Sequence, residues 1–397
     1  MSRHQLLGQL SGLQQMITQL LLSLPEEAVY HRYLPQLPSM AWLLGRGVYV
    51  ESWWLRHYLP GEEDKIERVT HLFTPEAALD EALQQQLPPR DHLLNWALEL
   101  QEENLLRLAN PELLSLSDPG QLQPLMATIL HHYAALYEDI LSQMCERQRQ
   151  LQTEYRVLLP LCALPPSQDH ADLLAGHFRV GAKEDPLARD SELPPQIVEL
   201  SSFRIDKHPV SNGAWLQFME AGGYQQQRLW QEEGWRWLQT NSLTAPYGWQ
   251  RDGSGAWYGT GINGGYDLVA TDAVAGVSHY EAIAYSRWVA EQGERLSGAV
   301  VQHEYQWEVA ARAGLLSRSG QVWEWCGNLF HPYTGYRAPE AMAADQFTAD
   351  HYTLRGGSLH TQRIRRRLSF RDHSARGSRH RLSGLRLVFP PSQMPWH

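Results

Sequence analysis

The sequence predicts an α+β chain in two parts, a helical region followed by a mixed, tryptophan- and glycine-rich region. Three observations carry that reading. Leucines recur at helical spacing from the start of the chain. The second half is broken instead by glycine turns and by tryptophans in short alternating runs, and 397 residues suffice for two cores. The 15 tryptophans are the compositional outlier, and they point to an aromatic-lined interior.

In order along the chain, Leu6, Leu10, Leu13, Ile17, Leu20, Leu21 and Leu24 mark a first helix, with Pro25 as its stop. Gln5, Gln9, Gln14, Gln15 and Gln19 interrupt the leucines and no small-residue cleavage site follows, so an amphipathic helix is expected rather than a signal peptide or membrane span. Ser39 is a plausible N-cap for a second helix over Met40–Tyr58. Pro88-Pro89 precede a third, Arg90–Ala109, and Gln121–Tyr155 reads as a long fourth. Four such helices suggest a bundle. Pro165-Pro166, Pro186 and Pro194-Pro195 then mark residues 159–200 as a linker with a lead-in strand, which sets the helical domain at 1–158 and the second domain at 201–397.

In the second domain, helices are expected from a start at Ser278 and over Tyr305–Ala313. Gly234-Trp-Arg-Trp237, Gly248-Trp249 and Ala256-Trp-Tyr258 show little regular periodicity. Trp323 and Trp325 flank Glu324 as in a short strand bounded by Gly320 and Gly327.

Cys145, Cys162 and Cys326 are scattered and odd in number, which excludes a disulfide framework and a Cys-x-x-Cys metal site and fits a reducing cytoplasm. The formal charge of −10 is uneven: residues 351–397 hold ten arginines against one acid, Asp372, leaving 24 basic and 43 acidic residues before them. A nucleic-acid patch on Arg363, Arg365, Arg366, Arg367, Arg371, Arg376, Arg379 and Arg381 is disfavoured, because no binding motif accompanies them and the acidic remainder repels a polyanion. Arginines on the solvent face of a strand, or paired with the acidic N-terminal domain, are expected instead.

The runs Gly320-Gln-Val-Trp-Glu-Trp325, Leu354-Arg-Gly-Gly-Ser358 and Ser383-Gly-Leu-Arg-Leu-Val388 resemble the signature of the formylglycine-generating-enzyme domain. With a helical domain in front, the chain is similar to the ergothioneine and ovothiol sulfoxide synthases, non-haem iron enzymes that join a thiol to a histidine derivative. The resemblance implies a DinB-like four-helix bundle followed by a mixed α/β, C-type-lectin-like domain. It also implies Fe(II) held by one histidine on the second bundle helix and two spaced His-x-x-x-His-x-Glu on the fourth, where an i, i+4 spacing puts both imidazoles on one face. Here the fourth helix reads His132-Tyr-Ala-Ala-Leu136-Tyr-Glu138, and the second reads Trp42-Leu-Leu-Gly-Arg46. Of the three ligand positions only His132 is a histidine. A guanidinium has no lone pair to give, so Arg46 cannot replace imidazole. His131, His57, His92 and His31 are poorly placed to rebuild the site. Arg46 is expected either to pair with Glu138 or Glu51 or to bind an anionic ligand, or else to fill a collapsed pocket.

Formylglycine-generating activity requires a reactive cysteine pair beside the Arg-Gly-Gly-Ser segment, and no cysteine follows Cys326. The segment that holds amino-acid substrates in the sulfoxide synthases corresponds to Arg371, Asp372, Ser374, Ser378 and Arg379, with Arg379 the expected carboxylate partner. Tyr333 and Tyr336 are candidate proton or hydrogen-atom donors. A sulfoxide synthase, a non-catalytic binding or regulatory protein for an amino-acid-like or thiol ligand, and an enzyme of changed, metal-independent chemistry all stay open at this point. So does a partner protein that completes the site.

Overall fold

In the computed structural model, described here for residues 1–59, 65–151, 154–337 and 347–391, the chain divides into two compact units, Met1–Leu151 and Gln152–His397.

The first unit is helical. Its long helices are α1 (Arg3–Leu22), α3 (Met40–Arg56), α5 (Arg90–Ala109) and α6 (Leu122–Leu151), joined through the short α2 (Glu26–Tyr30) and α4 (Glu81–Gln84). Helices α1 and α3 each pack on α5 and α6. The leucine stripe of α1 is buried at Leu6, Leu10, Leu13, Ile17 and Leu21, which is the i, i+3/i+4 face a bundle core requires. Ser39 caps α3 by accepting the Trp42 N–H. No helix of the described residues is long and apolar enough to cross a membrane.

The second unit is mixed. One four-stranded sheet runs in the order β1 (His170–Leu173), β4 (Phe203–Asp206), β13 (Leu387–Phe389), β8 (Val300–Val301). Another runs β11 (Asp372–Ala375), β10 (His351–Arg355), β9 (Trp323–Leu329), β12 (Ser383–Leu385), with β12 parallel to β9. The hairpin β2 (Gly176–Val180) and β3 (Gln196–Leu200) and the meander β5 (Trp249–Arg251), β6 (Trp257–Gly261), β7 (Gly264–Asp267) stand apart. Helices α7 (Asn212–Glu220), α8 (Glu232–Asn241), α9 (His279–Ala290) and α10 (Glu304–Arg312) complete it. Trp215, Phe218, Tyr285, Trp288, Trp323 and Trp325 share one buried core. Trp215 and Tyr285 stack at 5.0 Å and Phe218 meets both edge-on.

The structure differs from the sequence-based expectation at two places. The Gly234–Trp237 stretch is helical, part of α8, with Gly234 and Leu238 buried one turn apart. Residues 159–200, expected as a linker with one strand, carry β1, β2 and β3.

Candidate functional site

Strand β9 is the floor on which the candidate residues assemble. It alternates Trp323, Glu324 and Trp325, all buried, and pairs with β10, which in turn pairs with β11. Register places Thr353 opposite His373 and Tyr352 opposite Ser374. His351 and His373 are therefore diagonal cross-strand neighbours, and their Nδ1 atoms lie 2.7 Å apart. One imidazole donates and the other accepts, so the pair is held neutral or shares one proton. Burial lowers the pKa of His373 to about 4, against the opposing pull of Asp372, and it also lowers that of His351. Phe330 stacks on His373 at 4.5 Å.

Arg371 sits under this shelf, 1% exposed, with its guanidinium 4.7 Å from the Phe330 ring centroid and 4.0 Å from that of Tyr333. Its Nε and Nη2 donate to the two Glu304 carboxylate oxygens at 2.7 and 2.8 Å, and its remaining donors meet the Ser191 and His331 carbonyls. Burial works to raise the Glu304 pKa, but Arg371 outweighs it and holds the carboxyl below the usual range. Asp372 accepts from Arg365 at 2.7 Å and Arg381 at 2.8 Å; the two cations overcome burial and keep it well below the ordinary carboxylate range. Arg379 is paired with Glu281 at 3.0 Å and donates to the Ala245 carbonyl. Ser378 exchanges a 3.2 Å hydrogen bond with His380, and Ser374 is half-buried on β11.

The two candidate tyrosines part company. Tyr336 donates to Asp190 at 2.7 Å. Tyr333 is 3% exposed, its hydroxyl makes no hydrogen bond among the described residues, and burial followed by the Glu304 charge pushes its pKa far up. Gly181 closes over it: at φ +85° its backbone approaches so nearly that a Cβ would stand 3.0 Å from the Tyr333 ring.

The remaining candidates lie in the first unit. Arg46 is buried on α3, donates to the Phe73 carbonyl and stands 5.6 Å over the Tyr49 ring. Glu51, proposed from sequence as its partner, instead accepts from Tyr133 at 2.7 Å and Gln14 at 3.0 Å, and burial pushes its pKa up to about 8. Glu138 is buried and His132 half-buried on α6, and Leu136 is buried between them in sequence. A Cβ on Gly47 would come within 2.7 Å of the Tyr133 ring and 3.2 Å of Leu136, so α3 and α6 are in close contact there.

Among the described residues no group of three or more His, Cys, Asp or Glu side chains is placed to hold a metal ion. Sequence reasoning missed the His351–His373 pair and the acidic partners Glu281, Glu304 and Glu308. The arginines were expected on a solvent face or against the N-terminal domain. Arg365, Arg367, Arg371, Arg379 and Arg381 instead pair with carboxylates of their own unit, because they are too buried to stay unpaired.

Comparison with known proteins gives the family of the second unit. Residues 165–319 and 314–390 match the sulfatase-modifying factor enzyme 1-like domain. The chain belongs to that family. Within the sulfatase-modifying factor enzyme 1-like family it is similar to a hercynine oxygenase of Mycobacterium tuberculosis, 30% identical over 251 residues that make up 53% of this chain and 58% of that protein. A hercynine oxygenase of Mycolicibacterium thermoresistibile is 28% identical over 257 residues, 53% of this chain and 56% of that one. An inactive C-alpha-formylglycine-generating enzyme 2 of Mus musculus is 32% identical over 191 residues, 44% of this chain and 56% of that one. The chain thus spans less than two thirds of the length of these relatives. Among solved structures, PvdO from Pseudomonas aeruginosa superposes with a TM-score of 0.38 at 16% identity, covering 58% of this chain and 98% of that one. The family assignment bears out the resemblance to sulfoxide synthases and the α+β architecture read from the sequence.

Proposed function

We propose that this chain is a diverged relative of the iron-dependent sulfoxide synthases that has lost oxidative C–S bond formation and binds a small amino-acid-like or thiol-containing molecule. The observation that carries the reading is Arg46. Where the resemblance calls for an iron-binding imidazole, a permanently cationic side chain is buried and directed to the Phe73 carbonyl. Leu136 supplies no donor atom at the second position, so His132 would be a lone ligand. These side chains do not fit an Fe(II) centre of the family's kind.

A second reading, an enzyme of changed and metal-independent chemistry, is favoured by the His351–His373 pair. Two imidazoles hydrogen-bonded at 2.7 Å carry one further acceptor nitrogen and one further N–H donor, an arrangement that can relay a proton while burial keeps both rings uncharged at neutral pH. Arg371, Asp372 and Arg379 fit either reading as residues that fix the shape of the ligand region, since their charges are already balanced internally. A cytoplasmic location, no nucleic-acid or membrane partner, and a protein partner as an alternative source of missing ligands belong to the same proposal.

The deciding experiment is anaerobic Fe(II) loading with metal analysis and electron paramagnetic resonance of the nitric-oxide adduct. Iron at background level is the expected result. Stoichiometric iron with a high-spin Fe–NO signal that His132→Ala abolishes would overturn the proposal. If iron is absent, His351→Phe and His373→Phe separate the two remaining readings: turnover of a bound thiol or amino acid that both variants abolish selects the enzyme.

A further inference from the structure

A cavity of about 330 Å³ opens in the second unit between the Leu164–Ser167 segment, helices α7 and α9 and the β4–β13 pair. None of the candidate-site residues above lines it. Its wall is mostly apolar, with Val210, Ala214, Val289 and Leu387 contributing. At the end of β4 it meets Asp206, which is 3% exposed.

The charge of Asp206 is only partly compensated. His170 on β1 approaches to 3.3 Å from Oδ1, the Leu387 backbone N–H donates to the carboxylate and the Arg386 charge acts on it as well, yet burial outweighs the three. Arg386 gives two donors to Glu324 and one to the backbone carbonyl of Asp206, not to its carboxylate. Arg318, at the cavity mouth, donates to the Thr271 carbonyl and lies 3.6 Å from Asp272. His208 faces Asp169 at 3.7 Å. Burial raises the Asp206 pKa, and burial first and the Asp206 charge second raise that of Tyr285, which also lines the cavity.

A buried carboxylate whose partners do not fully replace its lost hydration, and whose Oδ1 makes no hydrogen bond among the described residues, is stabilised by a cation brought within reach. An apolar wall accepts the body of the same molecule, and the volume is at the small end for ligand pockets. We infer that this cavity binds a small primary ammonium compound with an apolar body, the ammonium on Asp206 beside the Tyr285 hydroxyl. The site is separate from the His351–His373 region and independent of the function proposed there.

The test is isothermal titration calorimetry of the full chain with 2-phenylethylamine and, as the uncharged isostere, 2-phenylethanol. The amine is expected to bind saturably at one per chain, at least about tenfold tighter than the alcohol. Asp206→Asn should remove that preference. Should Asp206→Asn fail to fold, Thr271→Trp at the exposed mouth fills the opening and should weaken the amine by at least about tenfold with unfolding unchanged. Absence of saturable amine binding at millimolar concentration, equal binding of alcohol and amine, or amine binding untouched by Thr271→Trp would each overturn the inference.

Discussion

Replacing Arg371 by alanine distinguishes a structural arginine from a ligand-binding one. The wild-type side chain makes four hydrogen bonds, two of them to a Glu304 that is itself 2% exposed. Removing it leaves Glu304 buried with Asn328 as its remaining side-chain donor, at 3.0 Å. Breaking a buried pair from one side costs about 3–5 kcal/mol, which for a unit of this size lowers the unfolding midpoint by roughly 10 °C. The pH dependence supplies the signature. In the wild type the Glu304 pKa is depressed, so its contribution is present above the ordinary carboxylate pKa and lost as pH falls through the folded value. In Arg371→Ala the carboxyl loses the cation that depressed it, burial raises its pKa, and its protonation relieves the penalty. The gap between variant and wild type should therefore narrow from pH 7 toward pH 4. Urea unfolding followed by tryptophan fluorescence and far-UV circular dichroism measures it, and Arg371→Met combined with Glu304→Leu should recover most of the loss. A variant within about 1 kcal/mol of wild type at pH 7, or a gap that stays constant with pH, would refute the structural role.

Further outcomes follow from the first unit and from the cysteines. Glu51 is fully buried with its pKa pushed up to about 8, so stability of the helical unit should fall as pH rises from the ordinary carboxylate value to about 8 and then level off. The full span is about 5 kcal/mol at most, and Glu51→Gln should flatten the curve in chemical denaturation between pH 5 and 9. The double variant Arg46→His, Leu136→His should gain Fe(II) binding by metal analysis, because α3 and α6 still meet closely at Gly47, Tyr133 and Leu136; no gain would mean that the backbone no longer presents the three positions together. Cys162 is exposed, whereas burial pushes the Cys145 thiol up to about 12 and that of Cys326 well above the ordinary thiol range. An aromatic disulfide reagent should thus titrate one thiol about a hundredfold faster than the other two in the folded chain.

What the sequence made legible was local. Proline punctuation marked the start of α5 at Arg90, and serine caps marked the starts of α3 and α9, because a cap is decided by residues within one turn. Helix α8 escaped because its tryptophans, Trp235 and Trp237, are half-buried while its buried stripe is only Gly234 and Leu238. Strands β2 and β3 escaped because a small hairpin with few buried residues leaves little alternation of hydrophobicity to read. At the site, the substitutions at positions 46 and 136 were visible as residue types. The destination of the Arg46 guanidinium was not, since Phe73 lies 27 residues away on a turn with no signal of its own. Glu304 and Arg371 are separated by 67 residues, and nothing in either neighbourhood names the other.

That separation also shows where most of the arginines of residues 351–397 direct their charge. Affinity for a phosphate backbone comes from cations that are hydrated and accessible before binding and release counterions on contact. Arg355, Arg365, Arg371 and Arg386 are 3% exposed or less, and they are committed respectively to Glu308, Asp372, Glu304 and Glu324. Arg367, Arg379 and Arg381 are paired with Glu192, Glu281 and Asp372. A run that is strongly basic along the sequence is therefore largely neutralised in space, by acids contributed from residues 192 to 324 and by Asp372 itself. The network ties the C-terminal strands to α9, α10 and β9, and it fixes the shelf of Phe330, His351 and His373 from below. Under the proposed function its arginines hold that shelf in shape, and the imidazole pair, with both pKa values lowered by burial, is the polar chemistry proposed to meet a small ligand.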